Sequence, residues 1–107
     1  MSQTVQQIRE LVARRKIHIS DHGSDELAED NIFIDDIVAG IEKAVVAEDY
    51  PTYHKGPCVL GLQHDEQSQP IHVLWGIAKN TTTPAVVVTA YRPDPNRWGE
   101  DFLRRRR

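Results

Sequence analysis

Cysteine is almost absent from this chain of 107 residues: Cys58 stands alone. With no partner in the chain it excludes a disulfide-stapled scaffold and favours a reducing compartment, so a cytoplasmic location is expected. No apolar run approaches the roughly 20 residues needed to span a bilayer, so no membrane partner is expected. The opening stretch MSQTVQQIRE has neither a basic leader nor an apolar core, so no signal peptide is expected either. The six glycines form no P-loop, dinucleotide fingerprint or nucleophile elbow, and no cofactor is expected. The length suits one domain over residues 1–107 and is too short for two.

Charge is present but unevenly spread. The net charge is -3. Residues 1–16 carry four bases and one acid, residues 17–54 ten acids and one base, and residues 55–107 eight bases and five acids. An acidic middle therefore separates two basic ends. The terminal run Arg104–Arg107 reads either as a disordered basic tail or as a contact for a polyanion or an acidic partner.

The apolar period is helical at first. Val5, Ile8 and Val12 mark an amphipathic helix over roughly residues 3–15. Ser20 is a good N-cap for a second helix running to about Asp30, where Asn31 ends it in a left-handed conformation. Ile34, Ile37, Val38 and Ile41 mark a third helix, roughly 34–43, with Asp35 and Asp36 at its positive end. After that the period changes to two, and strands are expected near 44–49, 57–64, 70–78 and 84–91. Pro93 and Pro95 stop the last one, and residues 96–104 suit a short final helix. The pattern predicts an α+β fold in which N-terminal helices pack on a four-stranded antiparallel sheet, followed by a short C-terminal helix.

Strand alternation separates two faces. The more polar sides of the last three strands offer Gln63, His72, Thr89 and Tyr91, a shallow face with amide, imidazole and hydroxyl groups. In a meander, His64, His72, Tyr91 and Arg92 gather at one end of the sheet, far from His54 and Lys55. The stretch from Tyr91 to Trp98 then presents a phenol, two guanidiniums (Arg92 and Arg97) and an indole, groups that bind phosphates and stack on bases. They equally make aromatic corner packing. His22 has the intrinsic pKa of an acid–base group and equally suits a structural position near a helix start. A zinc set of His22, Glu26 and His72 is conceivable, although no HExxH pattern occurs and no metal is expected. Cys58, among Pro57, Val59 and Leu60, reads as a small core residue.

Several pieces in order resemble a bacterial family, the domain of unknown function 4258. They are Ile19-Ser20-Asp21-His22, Val45 to Pro51, Gly56 to Gly61, Pro70 to Val73, and Thr89 to Asp94 with Trp98, spread over residues 17–105. The family's pattern of helices followed by an antiparallel sheet resembles the RelE and ParE toxin superfamily, with the BrnT toxins looking like closer cousins. That resemblance implies an endoribonuclease toxin or an inactive relative, neutralised by a partner antitoxin-like protein. RNA cleavage through the 2′-hydroxyl needs a base, an acid and positive charge on the phosphorane. His72 or His22 would be the base, Tyr91 or His64 the acid, and Arg92 the charge, with Gln63, His64, Thr89, Arg97 and Trp98 on the substrate. Glu26 and the Gln63-His64 pair stand where basic residues are common in the family. The alternative is a non-catalytic protein-binding module, or a homodimer, with an apolar or acidic interface.

Overall fold

In a computed structural model of the protein, which describes residues 2–106, the apolar periods become a helical layer on one side of a five-stranded sheet. Helix α1 spans Gln3–Ala13 and buries Thr4, Val5, Ile8 and Val12. The Ser2 hydroxyl caps it by accepting from the Val5 amide. Helix α2 spans Asp21–Glu29, capped by Ser20 accepting from the Gly23 amide, and Asn31 takes the left-handed conformation, φ 53°. Helix α3 spans Ile34–Gly40 and tightens into a 3-10 turn over Ile41–Lys43. Arg9 of α1 closes that turn by donating to the carbonyls of Ile41 and Ala44, the first of which also accepts from the Ala44 amide.

The strands are β1 (Ile17–Ile19), β2 (Val45–Tyr50), β3 (Cys58–His64), β4 (Pro70–Gly76) and β5 (Ala85–Tyr91). Their order across the sheet is β1-β5-β4-β3-β2. From β2 to β5 they form the expected antiparallel meander. The fifth strand corrects the four-stranded expectation. Ile17-His18-Ile19 is too short to declare a period of two, and its partner is Ala85–Val87, paired parallel across most of the chain. Beyond it the Ser20 hydroxyl donates to the Val88 carbonyl, and α2 lies along the remaining edge of β5. The approach is close: a Cβ at Gly23 would stand 2.7 Å from the Val87 carbonyl oxygen. Glycine at that position is what lets a helix stand where a sixth strand would otherwise pair.

Two irregularities decide which side chains share a face. The β4–β5 register shifts between Leu74 and Trp75, so that Val87 lies opposite Trp75 while Thr89 lies opposite Leu74. This bulge places Val87 and Ala90 together on the helix side, against strict alternation, and leaves Thr89 and Tyr91 on the other side. The helix-side core gathers Val59, Ile71, Val73, Trp75, Val87 and Ala90 with Ile8, Ile37 and Ile41. The second face, here the outer face, carries Cys58, Leu60, Leu62, His72, Leu74 and Gly76 through the β3–β4 register.

Among the described residues no C-terminal helix forms. Arg97 and Trp98 donate to the Asp94 carbonyl in one helical turn, and Gly99 then bonds to the Arg104 carbonyl instead of continuing it. Trp98 and Arg105 face one another in an isolated antiparallel bridge, and the Arg106 amide donates to Arg97. Residues 97–106 are thus a strap laid back across the outer face. The expected disordered tail bears on 104–107: Arg104–Arg106 are described as part of the strap, and Arg107 lies outside the described residues.

Candidate functional site

The outer face brings part of the expected constellation together. His72 stands mid-strand, opposite Leu62 on one side and Tyr91 on the other. Its Nδ1 is 3.3 Å from the Tyr91 hydroxyl and its Nε2 is 2.8 Å from the Phe102 carbonyl oxygen. A carbonyl only accepts, so Nε2 holds the proton and Nδ1 accepts from Tyr91. The Trp98 indole meets the His72 ring edge-on at 4.3 Å between centroids. Above Trp98 lies the Arg105 guanidinium, 4.8 Å from the ring centre. Glu48 of β2 grips Arg105 through two hydrogen bonds of 2.8 and 3.1 Å and accepts a third from Tyr50.

Each shift in acidity follows from these contacts. Burial pushes the His72 imidazole down, and the Phe102 carbonyl offsets only part of that. Burial pushes the Tyr91 phenol up. The hydrogen bond from Arg105 holds the Glu48 carboxyl below its ordinary value, and Glu48 in turn raises Tyr50. At neutral pH the centre is therefore a neutral His–Tyr pair of one tautomer, roofed by an indole and an ion pair. His72 is 0% exposed and Trp98 3%. While the strap stays in place no substrate reaches the imidazole.

The other expected site residues lie elsewhere. Arg92 points away from His72: its amide donates to Asp30, and its guanidinium donates to the Pro70 carbonyl and pairs with Asp65 at 2.9 Å. Asp65 in turn caps the β3–β4 turn, and the Gln69 amide does most to hold its carboxyl below the ordinary carboxylate range. Gln63 is on the helix side, buried, and opposite Ile71 rather than beside His72. It donates to the Ile37 carbonyl and accepts from the Trp75 indole, so it serves the core. His22 is an exposed residue of α2 (side chain 68%) whose Nε2 sits 3.4 Å from Glu26. Thr89 is on the outer face opposite Leu74, while His64 and Arg97 are exposed. Glu48, Tyr50, Phe102 and Arg105 complete the site unannounced. Glu48 and Tyr50 share a strand face at i and i+2, but nothing in a run of four arginines marks one of them as special.

Both ring nitrogens of His72 are engaged, which removes it from a zinc set with His22 and Glu26. Among the described residues no group of three or more His, Cys, Asp or Glu side chains is arranged to hold a metal ion. Nor is any described helix long and apolar enough to cross a membrane.

A family model described as a domain of unknown function, DUF4258, matches residues 19–92, more than two thirds of the chain. The chain belongs to the DUF4258 family. No curated protein and no solved structure matches it. The DUF4258 match takes in His72, Tyr91 and the whole meander. It ends at Arg92, so Trp98, Phe102 and Arg105, which roof His72, lie beyond the matched segment.

Proposed function

We propose that this DUF4258 chain is a non-catalytic protein-binding module that receives a partner strand along β2. The observation that carries this reading is the state of the two sheet edges. One edge is β1, only three residues long and followed at once by α2, which lies along the rest of β5. The other edge, β2, is six residues long and pairs on one side only. Among the described residues four large hydrophobic side chains are exposed, and three of them, Val45, Tyr50 and Tyr53, lie on β2 or in the turn after it. An open edge flanked by exposed apolar side chains is a template for strand addition, which proteins otherwise block. The acidic segment 17–54, to which β2 belongs, favours a basic partner strand, as an antitoxin-like protein would supply, over pairing of two like edges.

Ala47 offers the test, because it is the bulged residue skipped in the β2–β3 register. Proline there removes a donor and adds a ring at the edge while disturbing the ladder little. Ala47→Pro is expected to leave the unfolding midpoint within a few degrees and to abolish complex formation with the protein partner co-purified from the native host. In the wild-type complex the amides of 45–50 are expected to gain protection from hydrogen exchange. A complex that Ala47→Pro forms equally well, or that leaves those amides unprotected, defeats the reading.

A second reading, an endoribonuclease of the RelE type, draws on the His72–Tyr91 pair, which offers a base and an acid in contact. It requires residues 97–106 to lift, since Trp98 and Phe102 occupy both approaches to the imidazole. Incubation with a defined transcript separates the two readings. The binding module is expected to leave the RNA intact, both as wild type and as Trp98→Ala. Cleavage by either chain that His72→Ala removes would install the nuclease in its place.

A further inference from the structure

The strap covers only half of the outer face. The other half is an open groove of about 490 Å³ whose floor is Leu74, Gly76, Val86 and Val88, with Tyr50 and Tyr53 as walls. That volume and apolar lining are those of a small-molecule site. The charge in its lining is one-sided. Lys55 is the one charged residue there, and the exposed Asp49 carboxylate, which bears on the Cys58 thiol, lies outside the lining. Glu48, the nearest acid on the outer face of β2, is already neutralised by Arg105. No ion pair is formed by Lys55 among the described residues. Half-buried Cys58 also lines the groove, with its thiol pushed up by burial, and so reports on occupancy.

We propose that this groove binds a small apolar acid, an alkyl or aryl carboxylate whose body lies on Leu74, Val86 and Val88 and whose carboxylate meets the Lys55 ammonium. The assignment follows from the pairing of an apolar floor with a single unpaired cation. A neutral apolar ligand would leave Lys55 unused, and a cationic one would be repelled by it. The site shares Tyr50 and Tyr53 with the strand-binding edge but differs from it: it needs no partner protein, and its ligand lies on the sheet face rather than along the β2 backbone.

The test uses the full chain and two probes of equal length, decanoate and decanol, both kept below their aggregation limits. Decanoate is expected to shift the amide resonances of Cys58, Leu74, Gly76 and Val88 in a saturable way. It is also expected to slow alkylation of Cys58 by iodoacetamide at least fivefold at saturation. Decanol is expected to bind more weakly. Lys55→Gln is expected to weaken decanoate by about three- to tenfold, the size of one partly solvated ion pair, and to leave decanol unchanged. Val86→Glu, which puts a carboxylate on the floor at a half-exposed position, is expected to abolish decanoate binding while retaining a folded spectrum. Equal binding of the two probes, or insensitivity of decanoate to Lys55→Gln, overturns the proposal. So does protection of Cys58 that rises with protein concentration in the absence of ligand, which would make a second copy of the chain the occupant.

Discussion

Trp98→Ala is expected to lower stability by about 3 kcal/mol, the low end for a buried aromatic, because a strap near the chain end can partly collapse into the space. For a domain of this size that corresponds to a fall of roughly 10–15 °C in the unfolding midpoint. The loss has three parts that act together. The His72 ring loses its cover, Arg105 loses the ring it stacks on, and the burial of the indole itself, 3% exposed, is forfeited. The Glu48–Arg105 pair will not hold the strap alone. It is a largely exposed ion pair, and such pairs contribute about 1 kcal/mol or less.

The same substitution has a signature in pH. In the wild type, burial depresses the folded-state pKa of His72 below its unfolded value near 6.5. Above 6.5 both states are neutral at this site and the folded chain keeps its full stability. As pH falls below 6.5 the unfolded chain takes up the proton first, so stability declines by up to about 1.4 kcal/mol per unit until the folded-state pKa is reached. Urea unfolding between pH 5 and 8 should show that decline. In Trp98→Ala it should flatten, and the His72 ring resonance should titrate closer to 6.5. A decline of unchanged slope in the variant would mean that something other than the strap keeps His72 dry.

Much of this fold was readable from local chemistry. Ser20 as a cap, Asn31 as a left-handed stop and the apolar spacing of α1 and α3 each act within a few residues, and the structure places all of them as expected. So does the meander, because its turns are marked by Pro51, Gly56-Pro57 and the residues around Ser68. Gly56 has φ 121°, and a Cβ there would run into the Ile77 carbonyl. What escaped is set by register and by distant pairing. His72 and Tyr91 share a face because of how β4 and β5 align, and the bulge at Val88 breaks the alternation from which the β5 faces were inferred. Polarity groups Gln63 with His72, yet the β3–β4 register sends it to the helix side. Arg92, a natural phosphate ligand by type, is consumed by Asp65 and Pro70 at the sheet end. The strap is the extreme case, since its contacts with Glu48 and His72 lie across the sheet and leave no period in the chain.

Gln63 carries the second large effect, and it separates a core role from a substrate-binding one. Its amide bridges two buried groups, the Ile37 carbonyl of α3 and the Trp75 indole N–H, each at 2.9 Å. Orphaning a buried polar group costs about 1–3 kcal/mol, so Gln63→Ala, which takes a partner from both and opens a cavity, is expected to cost about 4 kcal/mol. Gln63→Leu fills most of the space and still takes a partner from both, so it should recover only the cavity part and cost about 2–3 kcal/mol. Combining it with Trp75→Phe tests the cause. Phenylalanine removes the stranded N–H, so the double variant should be more stable than the two single losses predict by at least about 1 kcal/mol. That coupling is a stability readout in the absence of any ligand. A residue kept for contact with RNA would show none: both Gln63 variants would unfold like the wild type, and the pair with Trp75→Phe would be additive.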